Sequence, residues 1–249
     1  QLTLLENLYN TLKGNSSADA RIADAVSELS AAKGRSLVIS GSNDTSVQII
    51  VNAINDLLNN YGATLDIENP CYLKKGDDAA VASLVEDMNA GKIGALIVCG
   101  TNPAYTLPNA TAFISGLKKV GLTVSTALSM DETASLMTYV CPDRHNLESW
   151  GDANVFHGQI SLMQPTIQPL FDSRQMQDSF LVWTGSNDDY YNYLKSYWSG
   201  KVAWNKSLHD GIFDFSQGSV GASSFKGSVK SVATSATGIE LTLYQATAM

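Results

Sequence analysis

Residues 95–108 read ALIVCGTNPAYTLP, and the reading of this stretch decides the fold. ALIVC is a short apolar run of the kind that forms a strand buried on both faces of a sheet. Gly100 permits close backbone approach, Asn102 offers donors and an acceptor, and Pro103 stiffens the exit from the turn. A helical pattern over about 109–119 follows. A strand that runs through a Gly-Asn-Pro loop into a helix is half of a βαβ unit.

The same alternation extends in both directions. Upstream, Ile22, Val26 and Leu29 mark a helix over 19–33 that stops at Gly34, a residue suited to a left-handed cap. SLVIS at 36–40 reads as a second buried strand. Val47, Ile50, Val51, Ile54, Leu57, Leu58 and Tyr61 trace a helix ending before Gly62, and 63–67 reads as a third strand. Asp77 or Asp78 caps a helix carrying Val81, Leu84, Val85 and Met88, closed by Gly91. Downstream come a strand at 122–127, a short helix from Asp131 and a strand near 138–141. Strands and helices in this order predict an α/β fold with a mostly parallel sheet flanked by helices.

After Cys141 the pattern changes. Residues 147–174 show neither helical nor strand periodicity and read as a long ordered loop, because Trp150, Phe156, Leu162, Ile167 and Phe171 do not suit a linker. Helical signals return at 175–183, 188–198 and 202–209, and 211–236 is Ser/Gly-rich, fit for flexible or edge-strand material. The expected organisation is an α/β parallel-sheet domain over 1–145, a cleft-side loop and helices on the same domain over 146–210, and a Ser/Gly-rich segment over 211–249 leading into a truncated following segment. The chain opens on Gln1 and ends in IELTLYQATAM, a strand-like run broken off soon after it starts, which reads as a fragment of a longer polypeptide.

Composition narrows the function. The chain has 249 residues, 44% hydrophobic and 16% charged, with 16 basic against 24 acidic side chains and a net charge of -8. Lysines and arginines form no run longer than a pair, so the footprint of a nucleic-acid binder is missing. Cys71, Cys99 and Cys141 lie far apart and have neither zinc nor iron–sulfur spacing. His145, His157 and His209 lack the spacing of a helical zinc motif, and no G-x-S-x-G elbow is present. No stretch approaches the ~20 apolar residues of a membrane span.

Ligands of an open parallel sheet bind beyond the carboxyl ends of its strands. ISGSNDTS at 39–46 is one such junction, where free amides at a helix start would hold a phosphate, or where a plain capped turn would do as well. GTNPAYTLP at 100–108 is the second, with an asparagine suited to an amide-rich ring or a ribose, or to an Asx turn before a helix. DETA at 131–134 is the third, where Asp131 can cap a helix.

These junctions occur together with PDRHNLESWG (142–151), WGDA (150–153), QPTIQPL (164–170) and WNKSLHDG (204–211). In this order they resemble the large molybdopterin oxidoreductases that bind a bis-molybdopterin guanine dinucleotide, with similarity over about 19–211 and again at GIELTLY (238–244). The resemblance is closer to the molybdopterin-enzyme-like part of the B subunit of alternative complex III. It implies a three-layer, Rossmann-like α/β domain, as in formate dehydrogenase and dimethyl sulfoxide reductase-type large subunits.

The resemblance implies further that Gly100, Asn102 and Pro103 form the loop facing the pterin guanosine. Asp131, Glu132 and Thr133 start the next loop, and Glu148, Gly151 and Asp152 belong to a cleft-lining segment. No catalytic residue and no metal ligand is expected in this region. In the alternative complex III branch the part is a non-catalytic scaffold of a respiratory quinol:acceptor oxidoreductase. No cofactor is then expected in the fragment. Molybdopterin guanine dinucleotide is expected only in a catalytic parent, and iron–sulfur clusters elsewhere in the parent. Expected partners are other domains of the same chain and subunits of a membrane-bound complex, on the periplasmic side of the bacterial inner membrane. The alternatives are a cofactor-binding domain of an active molybdopterin oxidoreductase and an independent small nucleotide-binding α/β protein.

Overall fold

The computed structural model describes residues 2–15, 20–73, 76–218, 220 and 224–229. They fall into two compact units: residues up to Pro70 with the described residues after Ser216, and Cys71–Ser216. No helix among the described residues is long and apolar enough to cross a membrane.

The first unit is helical. It contains α1 (Leu2–Leu12), α2 (Ala20–Ala31) and α3 (Thr45–Leu57). The alternating series above has no counterpart for α1, although Leu2, Leu5, Leu8, Tyr9 and Leu12 recur at helical spacing. All five pack against Ile50, Ile54 and Leu58, the buried residues at the centre of this unit. Asp44 opens α3 by accepting from the Ser46 and Val47 amides at 2.7 and 3.2 Å, and Gly34 follows α2 at a φ of 71°.

The two strands read at 36–40 and 63–67 do not form. Around Val38 the place of a neighbouring strand is taken by a side chain: buried Asn55 receives the Val38 N–H at 3.0 Å and donates to the Val38 carbonyl at 2.7 Å. Thr64 Oγ1 donates to the Ser36 carbonyl and Gln48 Nε2 to that of Ser40. Residues 60–65 spend their backbone groups on a local turn, in which the Thr64 and Leu65 amides both donate to the Asn60 carbonyl at 2.9 Å. One isolated bridge, Tyr61 to Leu65, is what remains of the strand there.

The second unit begins with α4 (Asp78–Asn89), capped by Asp77 and followed by Gly91 at a φ of 71°. Then come β1 (Ala95–Val98), α5 (Pro103–Thr106), α6 (Ala110–Leu117), β2 (Leu122–Ser125) and β3 (Tyr139–Val140). The strands form a parallel sheet in the order β1-β2-β3, with Val98 opposite Ser125 and Val124 opposite Tyr139. The α/β reading therefore holds, with a parallel sheet of three strands. Met88, Phe113, Leu117 and Val120 form its helix-side core. Gly116 lets α6 approach α4, since a β-carbon there would lie 2.9 Å from the Met88 β-carbon.

Residues 147–174 are corrected as well. They contain β4 (Gly151–Phe156) and β5 (Gln159–Met163), an antiparallel hairpin turning through His157 and Gly158. Gly158 supplies the positive φ of 75° that the turn requires. The polar strand GDANVF hides the pattern, whereas β5 alternates correctly and buries Ile160 and Leu162. After α7 (Met176–Trp183), α8 (Tyr190–Ser199) and α9 (Trp204–Asp210), β6 (Ile212–Asp214) joins the edge of β5. Ile160, Leu162, Leu194, Trp198 and Trp204 form the core of this part. GIELTLY and most of the Ser/Gly-rich segment after Gly218 lie outside the described residues.

Candidate functional site

The parallel strands carry three loops from their carboxyl ends, and the expected site residues Gly100 to Glu148 sit on them. Gly100, Asn102 and Pro103 follow β1; Asp131, Glu132 and Thr133 follow β2; Glu148 follows β3. Gly151 and Asp152 instead open β4.

The first two loops are joined through Asn102. Its Nδ2 donates to Glu132 Oε2 at 2.6 Å, and its Oδ1 accepts from the Thr133 amide at 3.2 Å and from Thr133 Oγ1 at 2.7 Å. Thr133 is fully buried, and its hydroxyl accepts in turn from the Ala104 amide at 2.9 Å. Asp131 holds the Ala134 amide at 2.7 Å, as a capping aspartate does. Glu132 is exposed, and the Asn102 bond, with a smaller part from its own amide, holds its carboxyl below the usual range.

Glu148 braces the third loop. Its Oε2 accepts from the His145 amide and its Oε1 from the Leu170 amide, both at 3.0 Å. The Leu170 amide, then that of His145, lowers its pKa. His145 reciprocates by accepting from the Leu147 amide, which closes a capping box around a single 3-10 turn at 146–148. Gly151 packs against Met163, and Asp152 Oδ2 accepts from Trp198 Nε1 at 2.8 Å, tying the hairpin to α8. Of the nine residues, Asn102, Glu132 and Thr133 thus form one connected cluster, Asp131 caps the turn beside it, and Glu148 and Asp152 are structural braces.

The donor set of the β1 and β2 loops does not fit an anionic dinucleotide. Residues 99–109 and 126–137 contain no lysine or arginine, and Glu132 adds a negative charge. Asn102 has spent its carbonyl and one amide hydrogen within the protein. Thr126 Oγ1 has no hydrogen-bond partner but is closed off from solvent, so it offers nothing to a ligand. No group of three or more His, Cys, Asp and Glu side chains among the described residues is placed to hold a metal. At the 39–46 junction the Asp44 carboxylate takes two of the amides at the start of α3 on which a phosphate would depend.

The sequence reading missed Gln175. Its side chain is buried and bonds both the amide and the carbonyl of Trp150, at 3.1 and 2.6 Å. It helps to line a cleft of about 520 Å³ together with Arg144, Glu148, Trp150, Asp178, Asp189 and Tyr191. A lone glutamine before a helical run carries no sequence signal for such a role.

No protein-family model matches the chain. The chain is 32% identical over 108 residues to the menaquinone reductase, molybdopterin-binding-like subunit of Nitratidesulfovibrio vulgaris (strain Hildenborough). That match covers 42% of this chain and 16% of the relative. Among solved structures it is similar to acetylene hydratase from Pelobacter acetylenicus, at 20% identity and a TM-score of 0.47, over 59% of this chain and 23% of that one. The chain spans less than a quarter of either protein. By the 108-residue match, the chain is related to the molybdopterin oxidoreductase superfamily.

Proposed function

We propose that this chain is a domain of a molybdopterin-oxidoreductase-like subunit in a respiratory quinol:acceptor electron-transfer complex, where it acts as a scaffold rather than a catalyst. The sequence match to a menaquinone reductase subunit supports the class. The observation that carries the scaffold reading is Asn102, whose polar atoms hold Glu132 and Thr133 in a loop pair without a cation. The nine site residues then serve as hydrogen-bonding and turn elements. Glu148 and Asp152 position the β3 loop and the hairpin.

On this reading the parent carries its iron–sulfur clusters in other regions and binds neighbouring subunits and its own further domains. It resides on the periplasmic face of the bacterial inner membrane, held there through the complex, and has the three-layer, Rossmann-like arrangement of the large oxidoreductase subunits. The test is elemental analysis of the complete protein purified from its source, together with fluorescence of the oxidised pterin. The expected result is iron without stoichiometric molybdenum or pterin. One molybdenum per chain would overturn it.

A second reading, a cofactor-binding domain of an active oxidoreductase, draws on Gly100. Its φ is 60° and the space where a β-carbon would stand is empty, so a ligand has room to approach the backbone there. The same metal and pterin analysis separates the two.

A further inference from the structure

The cleft of about 520 Å³ beside the third loop shares Glu148 with the expected cofactor-side residues, and the rest of its lining lies outside them. One wall is the 165–169 strap, framed by Pro165 and Pro169. It is fixed to the loop by the Thr166 and Ile167 amides, which donate to the Leu147 carbonyl at 2.7 and 3.1 Å. Trp150 and Tyr191 belong to the lining and pack on each other, with ring centroids 4.6 Å apart and tilted by 47°. Buried Gln175 fixes the Trp150 backbone and so sets the position of that ring.

The charges of the lining are unequal. Arg144 is engaged through Nε and Nη2 with the Ser173 carbonyl, at 3.1 and 2.8 Å, and both oxygens of Glu148 hold backbone amides. Asp178 and Asp189 each use one oxygen, for the Tyr190 and Asn192 amides. Among the described residues neither forms an ion pair, and the second oxygen of each accepts no hydrogen bond. Two carboxylates without an ion-pair partner among the described residues, in a concave site that two aromatic rings help to line, supply the recognition chemistry of an organic cation: the rings attract positive charge and the carboxylates accept its N–H groups. The Lys195 ammonium lies 5.6 Å from the Tyr191 centroid and competes with a guest for that ring.

We propose that this cleft binds a guanidinium or alkylammonium group, with Trp150 and Tyr191 as its aromatic walls and Asp178 and Asp189 as its counter-charges. The group comes either from a free small molecule or from an arginine of a peptide segment. The experiment is calorimetric titration of the 249-residue chain with agmatine, with the uncharged butylurea, and with the blocked tripeptide Ala-Arg-Ala. Saturable binding of agmatine or the peptide below about 10 mM, with none for butylurea, is expected. The tighter of the two cations identifies the source.

The Asp178→Asn, Asp189→Asn double variant keeps an oxygen acceptor for each helix-start amide, so the fold is retained while both charges are removed. It is expected to weaken cation binding by about tenfold or more. Equal affinity in the double variant, equal binding of butylurea, or no saturable binding of either cation would each overturn the proposal.

Discussion

Asn102 and Glu132 lie 30 residues apart and meet at 2.6 Å, with the Asn102 amide donating to the carboxylate. This bond, with those from Thr133 to the Asn102 carbonyl, joins the loops of two neighbouring parallel strands.

Asn102→Ala leaves the buried Thr133 amide and hydroxyl without their acceptor. A loss of about 1–3 kcal/mol is expected from unfolding in urea. Asn102→Asp restores the acceptor but sets a second carboxylate against Glu132. Its deficit should therefore be larger at neutral pH than in acid.

Glu132 and Glu148 both have lowered pKa values in the fold, against an ordinary value of 4.5. Their stabilisation is therefore fully present above pH 4.5 and is lost as the pH falls through the lowered values. Glu132→Gln should be less stable than the parent at pH 7 and approach it as the pH falls through the lowered value, which a series of urea midpoints from pH 7 downward would read directly. A constant gap between the curves would remove the ionised Glu132 from the account.

Two glycines allow a matched test of packing. At Gly116 an added β-carbon meets the Met88 β-carbon and Asn89 Nδ2, both at 2.9 Å, and the Asn89 backbone nitrogen at 3.3 Å. Two helices must separate to make room. Gly116→Ala should cost about 1–3 kcal/mol after allowance for the better helix propensity of alanine. At Gly151 the clash is with the terminal methyl of Met163, at 2.7 Å, and a methionine can swing aside. Gly151→Ala should cost less than about 1 kcal/mol. Denaturation midpoints with unchanged slopes would establish the order.

Asp152→Ala deprives the Trp198 indole of its acceptor at the centre of a packed cluster. A loss of about 1–3 kcal/mol is expected, along with a change in tryptophan fluorescence. Asp152→Asn keeps an oxygen there but removes the charge. Tyr190, pushed up to about 12 first by burial and then by Asp152, should titrate lower in that variant. Because its pKa is raised from 10.0, the associated stability is intact below pH 10.0 and declines as pH rises towards 12. Absorbance of the phenolate, followed in both proteins, measures the difference.

The sequence made visible those parts of the fold that depend on local chemistry. Asp77 announces the start of α4 and Gly91 its end, Gly34 announces the end of α2, and ALIVC forms the first strand of the parallel sheet. SLVIS misled because an apolar run records burial without saying what satisfies the backbone, and here a side chain does so. The hairpin was hidden because the exchanges of GDANVF are with residues of β5, while its own composition is polar. The loop residues at 100–103 and 131–133 were legible as turns. That Asn102 would be consumed by Glu132 and Thr133 was not, because the contact depends on the parallel register of β1 and β2.

The Asn55 amide that brackets Val38 has a consequence of a different kind. A neighbouring strand would bond alternate residues along a segment, and the whole could slide by two positions with its side chains still facing the same way. A single carboxamide grips one residue and admits no such sliding. Leu37 and Ile39, 48% and 78% exposed on either side of Val38, are therefore held in frame by separate side-chain grips on Ser36, Val38 and Ser40 rather than by a ladder. In hydrogen exchange the Val38 amide should be slow between two faster neighbours, a solitary protected site where a strand would show alternation.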